Sequence, residues 1–295
     1  MTTFYEFQEQ FPDDEACLER LMHERFGGTE MDCPKCGKHA KFYRMTRERA
    51  YVCQHCKYQL HPTVGTFMER SRTLLHKWFY AMHLFSISRH GVAARELQRA
   101  LGVTLKTAWR MGHEIRKYMN DVDDEFPLDG DVEADETYVG GKRSGKPGRG
   151  AIGKTIIFGM LQRGGDVMTK VVPNVRKRTL QPIIWENVKE GSTVHTDELR
   201  SYRGLDQAGY EHRTVNHGAG EYVRMGSHVN SLETFWSRLK NSIRGTHVHV
   251  SKQHLWMYMK EFEYRYNRRE KPGAIFSDLV SGLGRLPLVT HQSDA

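Results

Sequence analysis

The chain has 295 residues, of which 38% are hydrophobic, and it carries a formal net charge of +8. A mean hydropathy of −0.65, without any apolar run of about 18 residues, excludes a transmembrane helix. The length allows two or three domains. The chain does not open with a basic stretch followed by an apolar one, so we expect a cytoplasmic protein without a membrane partner. Positive charge favours a polyanionic partner, because lysine and arginine displace phosphate counterions.

Residues 1–28 are predicted to form a helical lead-in, and residues 29–70 a zinc ribbon. The ribbon is indicated by two cysteine pairs with 16 residues between them, Cys33-x-x-Cys36 and Cys53-x-x-Cys56. In a cytoplasmic protein, this spacing favours four thiolate ligands of one structural Zn²⁺ over two disulfides. The fifth cysteine, Cys17, is expected to be a buried thiol of the lead-in.

Residues 71–120 have the pattern of a helix-turn-helix DNA-binding region. One helix is predicted to end at Gly102, and Thr104 is predicted to cap the next helix. An ordinary helical hairpin has the same pattern, but the neighbouring cysteine pairs and the acidic residues farther along favour DNA binding. The second helix would present three polar side chains to a groove, namely Lys106, Thr107 and Arg110.

Residues 121–282 are predicted to form an α/β domain, followed by a tail at 283–295. The predicted order is three strands, a helix, a strand, a short helix, a strand and a long helix. This is the order of a ribonuclease H-like domain, with a mixed five-stranded sheet and flanking helices. The glycine-rich segment 142–154 contains five basic residues and no acid. We expect it to be a loop that contacts phosphate, with Lys142 and Arg143 among its contacts.

Three acidic residues are spaced so that this fold could bring them together. Asp135 is predicted to end one strand, and Asp197 is predicted to end another. Glu233 lies on a predicted helix and is separated from Asp197 by 35 residues. Carboxylates that meet in this way can hold two divalent cations for phosphodiester chemistry. Asp131 and Glu133 share the strand face of Asp135, and we interpret them as supporting or surface groups.

The helix predicted over residues 229–244 has two stripes. One stripe is apolar and is expected to face the core: Leu232, Phe235, Trp236, Leu239 and Ile243. The other is polar: Glu233, Ser237, Lys240 and Arg244. Glu233 could therefore reach a metal while Lys240, two turns later, reaches a phosphate or a base. A solvated Glu–Lys row looks the same in sequence, and the two upstream aspartates favour the catalytic interpretation.

Taken together, these motifs resemble the ISXO-like insertion-sequence transposases of bacteria, a branch of the DDE transposase and integrase superfamily. The resemblance covers roughly residues 4–282. The matching segments are Cys33-Pro-Lys-Cys36-Gly37, Cys53-Gln-His-Cys56, Asp135-Glu-Thr-Tyr-Val-Gly-Gly-Lys142, His195-Thr-Asp-Glu-Leu-Arg-Ser-Tyr202, His228-Val-Asn-Ser-Leu-Glu-Thr-Phe-Trp-Ser-Arg-Leu-Lys240 and Glu261-Phe-Glu-Tyr-Arg-Tyr-Asn-Arg-Arg269.

The resemblance implies a DNA transposase that binds the terminal inverted repeats of its element, cleaves them and transfers the strands to target DNA. It implies two Mg²⁺, for which Mn²⁺ can substitute, and assigns Asp135, Asp197 and Glu233 to these metals and Lys240 to DNA. Some members are described with Asn in place of the third acid, so Asn230 is the alternative ligand. We also expect a homo-oligomer on DNA at the bacterial nucleoid, with further DNA contacts from Arg244, Arg268 and Arg269.

Two other functions stay open at this point. A DNA-binding regulator derived from a transposase could retain the fold without catalysis, although the intact acids and Lys240 argue against it. A nuclease could cut DNA without joining it. An assay of strand transfer separates the nuclease from the transposase.

Overall fold

The computed structural model describes residues 3–123, 127–140, 154–214 and 230–288. The chain divides into two compact units, Met1–Val122 with Lys271–Ala295 and Asp123–Glu270. Residues 271–282, which the sequence analysis placed in the α/β domain, therefore group with the N-terminal helices. The finer domain boundaries derived from the sequence stay a prediction.

The first unit begins with two helices, α1 (Phe4–Gln10) and α2 (Asp14–Phe26). The side chain of Asp13 accepts a hydrogen bond from Ala16 N at 2.9 Å and so caps the start of α2. Pro12 lies between the helices, where its ring and missing N–H favour a break. Cys17 is fully buried in α2, as predicted, and burial raises the pKa of its thiol.

An antiparallel four-stranded sheet follows, and its strands are adjacent in chain order. They are β1 (Glu30–Asp32), β2 (His39–Arg44), β3 (Tyr51–Cys53) and β4 (Gln59–Leu60). Asp14 of α2 links this sheet to the next helix, because its carboxylate accepts hydrogen bonds from Arg49 Nη2 and from His76 N, both at 2.9 Å.

The helices that complete the first unit are α3 (Leu75–Ile87), α4 (Ala94–Leu101), α5 (Leu105–Asp121) and α9 (Ile275–Gly282). Helix α4 ends at Gly102, whose φ of +60° suits glycine, and Thr104 caps α5 by accepting from Thr107 N. The predicted boundaries of the hairpin are thus confirmed. Within the described part of the chain, no helix has the length and apolar character needed to cross a bilayer.

The second unit is built on a mixed five-stranded sheet, as the sequence predicted. Its strand order is β7-β6-β5-β8-β9, with β5 antiparallel to β6 and parallel to β8. The elements in chain order are β5 (Asp131–Val139), β6 (Thr155–Gln162), β7 (Val167–Val172), α6 (Lys177–Asn187), β8 (Thr193–Thr196), β9 (Glu211–Thr214), α7 (Asn230–Ser242) and α8 (Leu255–Asn267). This is a ribonuclease H-like arrangement.

Two apolar clusters cover the faces of this sheet. One contains residues of α6, including Leu180 and Ile184, with Val194 of β8. The other contains the whole predicted apolar stripe of α7 together with Leu255 and Met259 of α8. The stripe was therefore predicted correctly, and its burial orients the polar face of α7 away from the core.

The expected position of Asp135 at the end of a strand was wrong. Strand β5 continues for four residues beyond it, because Glu136 to Val139 pair with Phe158 to Thr155 of β6. Asp135 therefore lies in the middle of the central strand. Asp197, in contrast, directly follows the last residue of β8, as predicted.

Candidate functional site

The four paired cysteines form a compact cluster in the first unit. Their sulfur atoms all lie within 4.8 Å of one another. Each pair lies on a tight turn, in which Cys33 N donates to Lys38 O and Cys53 N donates to Tyr58 O, both at 2.9 Å. The residue after each second cysteine, Gly37 or Lys57, has a φ above +60°. Four converging thiols are the ligand set of a structural Zn²⁺, and the zinc-ribbon interpretation is supported.

We expect purified protein to contain one zinc ion per chain and Cys36→Ser to lose it, because three thiolates leave the tetrahedral site incomplete. The variant should also unfold the ribbon, which has only short strands of its own. Metal analysis and thiol titration measure both effects. Cys17→Ser is the matched control, because Cys17 lies outside the cluster, and it should retain the zinc. Four freely titratable ribbon thiols in folded wild-type protein would refute the site.

The acidic site of the second unit centres on Asp135. The indole Nε1 of Trp236 on α7 donates to Asp135 Oδ2 at 3.1 Å. Gly159 pairs with Asp135 across the β5–β6 ladder, and a Cβ at Gly159 would lie only 2.5 Å from the Trp236 ring. Glycine is therefore required at position 159, because the Trp236 indole packs directly over this strand to reach the Asp135 carboxylate.

The surroundings of Asp135 hinder its ionisation. Burial, assisted by the negative charges of Glu136 and Asp197, raises the pKa of its carboxyl to about 7. Burial lowers the pKa of Lys240, while the charge of Asp135 opposes this effect. The carboxyl of Asp135 therefore interacts electrostatically with Asp197 and with Lys240, although both are far from it in sequence.

Asp197 and Glu233 are placed differently from Asp135. In the parallel register of β5 and β8, Glu133 pairs with His195. Asp135 lies two residues beyond Glu133, and Asp197 lies two residues beyond His195. Asp197 Oδ1 accepts from Leu199 N at 2.8 Å, which fixes the turn after β8. Glu233 is exposed on the first turn of α7. Among the described residues, only the cysteine cluster brings three candidate ligand atoms within 4.8 Å, so the three carboxylates do not converge this closely.

A hydrogen-bonded network joins β5 to β8 next to Asp135, and its connections were not predicted from the sequence. Its members are Asp131, Glu133, Arg163 and His195. His195 Nε2 lies 2.6 Å from Asp131 Oδ1, and Arg163 Nε donates to Glu133 at 3.1 Å. Burial lowers the pKa of His195, while the hydrogen bond from His195 lowers the pKa of Asp131. Both shifts fit a neutral imidazole that donates from Nε2 to an ionised carboxylate. Only the period-two spacing of the two acids hinted at this arrangement.

The opposite face of β5 carries Glu136, since successive side chains of a strand alternate between its two faces. Glu136 is nearly buried and accepts a hydrogen bond from Tyr202 Oη at 2.9 Å. Glu198, which follows Asp197, is exposed.

The side chains expected to contact DNA in the first unit lie on α5. Lys106 and Arg110 are exposed. The Cζ atom of Arg110 also lies 5.5 Å from the centre of the Trp78 ring. Thr107 Oγ1 is 2.9 Å from Thr104 Oγ1, so it takes part in the helix cap. Trp109, next to Arg110 in the chain, has 45% of its surface exposed, which the sequence did not predict.

The remaining predicted DNA contacts are dispersed. Arg244 is exposed in a π-helical turn, Ile243–His247, that follows α7. Arg268 forms an ion pair with Asp123 at 2.5 Å, and Arg269 lies 4.2 Å from the centre of the Tyr266 ring. The ion pair gives Arg268 a structural role, and its DNA contact stays a prediction. Lys142 and Arg143 lie outside the described residues, and the same holds for the side chain of Asn230.

Known proteins match both units. Residues 127–267 match the family described as ISXO2-like transposase domain, and residues 12–59 match the transposase zinc-ribbon domain. An uncharacterized transposase-like protein of Haemophilus influenzae is 37% identical over 118 residues, which are 39% of this chain and 94% of that protein. A Halobacterium salinarum protein, described as an uncharacterized protein in transposable element ISH50, is 29% identical over 263 residues, 82% of this chain and 87% of that protein. The two matched domains contain the cysteine cluster and the three acids.

Proposed function

Because the chain belongs to the ISXO2-like transposase family, we propose that it binds the terminal inverted repeats of its own insertion sequence and catalyses DNA cleavage and strand transfer. The single observation that supports this proposal is the position of Asp135 in the middle of the central strand β5, next to the strand β8 that Asp197 directly follows. Burial and the nearby acids raise the pKa of Asp135 to about 7. A carboxylate in such surroundings is well suited to a cation that offsets its charge.

The proposed cofactor of this site is a pair of Mg²⁺ ions, with Mn²⁺ as a substitute. Asp135, Asp197 and Glu233 would hold them, since carboxylate oxygens are the ligands that hard divalent cations prefer. When bound, the two ions would polarise the scissile phosphate and stabilise the attacking and leaving oxygens. Glu233 is exposed on α7, which leaves its carboxylate accessible from solvent.

The other residues of the site would position the reactants. Lys240 would contact a DNA phosphate or base, since it lies on the same helix as Glu233, two turns later, and interacts electrostatically with Asp135. Trp236 would hold Asp135 in place through its indole N–H, which donates to one carboxylate oxygen. Exposed Arg244 would contribute a further phosphate contact. Lys142, Arg143, Arg268 and Arg269 are proposed to extend this surface.

Recognition of the inverted repeats is assigned to the first unit. Its hairpin of α4 and α5 presents Lys106 and Arg110 on an exposed face. The net charge of +8 supports binding to DNA. We further propose that the protein acts as a homo-oligomer on DNA at the bacterial nucleoid.

The test uses the full chain and a duplex that ends in the inverted repeats flanking the gene. Transposition predicts nicking that frees a 3′-hydroxyl, followed by its covalent joining to a plasmid in Mg²⁺. Cleavage without joined product would identify a nuclease, and specific binding without cleavage would identify a regulator. Either outcome would overturn the proposed function.

We expect Lys106→Ala combined with Arg110→Ala to weaken binding to the element ends by about tenfold or more, as loss of base contacts does. Binding to random DNA should weaken less. Titrations of labelled duplexes at fixed salt measure both affinities. The matched control is Lys117→Ala on the same helix, where Lys117 pairs with Glu114. If both duplexes lose affinity equally, these two residues contact only phosphates.

We expect Glu233, rather than Asn230, to be the third metal ligand, because a carboxylate holds a hard cation better than a neutral amide does. Asn230 lies about 60° away around the helix and could instead cap its start. Glu233→Gln should abolish 3′-end cleavage in Mg²⁺, whereas Asn230→Ala should lose mainly stability. Cleavage assays in Mg²⁺ and Mn²⁺ test this. An active Glu233→Gln, together with a folded but inactive Asn230→Ala, would reverse the assignment.

A further inference from the structure

Glu133 connects the central strand to the helix of the third acid. Its side chain is fully buried, and Oε2 accepts a hydrogen bond at 2.9 Å from the backbone N–H of Leu232. Leu232 is the third residue of α7 and immediately precedes Glu233. A side chain 99 positions earlier in the chain therefore holds the first turn of this helix.

The physical basis of this contact is the chemistry of a helix N-terminus. The first four N–H groups of a helix have no partner within the helix, and their dipoles favour a negative charge nearby. Glu133 satisfies one of these donors and places an acidic side chain at this end. Because the interaction is buried, the bond constrains α7 more strongly than a solvated cap would.

The same carboxylate is itself held in place. Arg163 Nε donates to Glu133 Oε1 at 3.1 Å, and Arg163 Nη1 lies 3.9 Å from Asp131 Oδ1. Asp131 in turn accepts from buried His195, two residues before Asp197. The network thus contacts all three elements that carry the acids: β5, β8 and α7.

We propose that Glu133 is a positioning residue of the metal site, which fixes Glu233 relative to Asp135 by anchoring the first turn of α7 to β5. This inference rests on the proposed two-metal function, since it concerns the geometry of that site. We assign Glu133 to positioning and not to the cations, because it is fully buried and each of its oxygens already accepts a hydrogen bond, from Leu232 N or from Arg163 Nε. The network through Asp131 and His195 extends the same constraint to the strand that precedes Asp197.

The experiment compares three variants of the full chain. They are Glu133→Gln, Arg163→Met and a double variant that carries both Glu133→Met and Arg163→Met. The double variant removes the acceptor without leaving an unpaired cation. Hydrogen exchange of the peptide that spans residues 230–242 reports the anchoring, and Mn²⁺ titration reports the metal site. We expect faster exchange at the start of α7 and about a tenfold weaker Mn²⁺ affinity in the double variant, as with other residues that orient ligands. Glu133→Gln, which retains an acceptor oxygen, should lie between the double variant and wild type. Arg163→Met should also accelerate exchange at Leu232, because it leaves the buried Glu133 carboxylate without its charged partner.

Glu263→Gln is the matched control for general loosening of the domain. Glu263 is also buried, accepts from a backbone N–H (Thr169, at 2.8 Å) and pairs with a basic side chain (Lys260), but it anchors α8 to β7. The Glu263→Gln variant should accelerate hydrogen exchange in α8 and β7 without changing the Mn²⁺ affinity. Equal losses of Mn²⁺ affinity in both Glu variants, or unchanged exchange at Leu232 in the double variant, would overturn the inference. Wild-type protein that binds no Mn²⁺ would instead refute the proposed two-metal function and, with it, this inference.

Discussion

Asp197→Asn is expected to slow Mg²⁺-dependent 3′-end cleavage by about 1,000-fold or more while end binding persists. Each metal ion contributes several kcal/mol to transition-state stabilisation, and about 4 kcal/mol corresponds to roughly this factor. The amide oxygen of asparagine can still accept the hydrogen bond that Leu199 N donates to Asp197, so the turn after β8 should survive. The loss would therefore reflect the missing charge and not misfolding.

The measurement pairs a cleavage assay on a labelled inverted-repeat duplex with a binding titration on the same DNA. The control is Glu198→Gln at the next position, where the side chain is exposed and one negative charge is equally removed. It should cleave at nearly the wild-type rate. Substantial Mg²⁺-dependent cleavage by Asp197→Asn, or equal losses in the two variants, would rule out Asp197 as a ligand.

The second large effect concerns stability rather than catalysis. Asp135→Asn should make the protein more stable at pH 8 in the absence of divalent metal. The folded protein raises the pKa of Asp135 from 3.8 to about 7, so ionisation of this group opposes folding. One pKa unit corresponds to about 1.4 kcal/mol, which gives a gain on the order of 2–4 kcal/mol for the neutral amide.

The sign of the pH dependence follows from the same shift. In wild-type protein, the folded state favours the protonated Asp135 carboxyl. The stabilisation that this carboxyl contributes to the free energy of unfolding is therefore fully present below its unfolded pKa of 3.8. That contribution is lost as the pH rises from about 4 to about 7, and it is constant at higher pH. The difference between Asp135→Asn and wild type should therefore be small near pH 4 and largest above pH 7.

Urea unfolding at several pH values, with chelator present, measures these free energies. Glu198→Gln is again the control, since its exposed side chain should add no comparable pH dependence. Mg²⁺ should then stabilise wild type more than Asp135→Asn, because ligand binding to the folded state raises its stability. A variant less stable than wild type at pH 8 would show that Asp135 supports the fold instead of straining it.

Much of the architecture could be predicted because its signals are local. The apolar stripe of α7, the end of α4 at Gly102 and the cap at Thr104 each depend on residues within a few positions of one another. Strand ends were harder to predict. The sequence placed a boundary at Asp135, but the pairing of Glu136 to Val139 with β6 extends β5 past the acid. Pairing depends on a partner strand, which the periodicity of one segment cannot reveal.

The residue types of the candidate site were proposed from the sequence and stay a prediction, whereas the geometry around them was not predicted. Carboxylates at spaced positions marked Asp135, Asp197 and Glu233, whereas nothing in the sequence indicated that Trp236 donates to Asp135 across Gly159. The periodicity of α7 assigned Trp236 to the core, which is correct for its ring but does not describe its N–H. An indole combines a large apolar body with one donor, and only the packed structure shows where that donor is directed.

By itself, the sequence determined the four-thiol cluster, the order of the elements in the α/β unit and the residues that could carry phosphodiester chemistry. These follow from short-range spacing and from the chemical nature of each side chain. The tertiary structure alone decided that Glu133 anchors α7, that His195 pairs with Asp131 and that α9 groups with the N-terminal helices. Such contacts join residues 64 or 99 positions apart. They form because a buried donor or acceptor is stable only with a hydrogen-bond partner, and tertiary packing decides which residue is near enough to be that partner. Local sequence patterns cannot predict this partner.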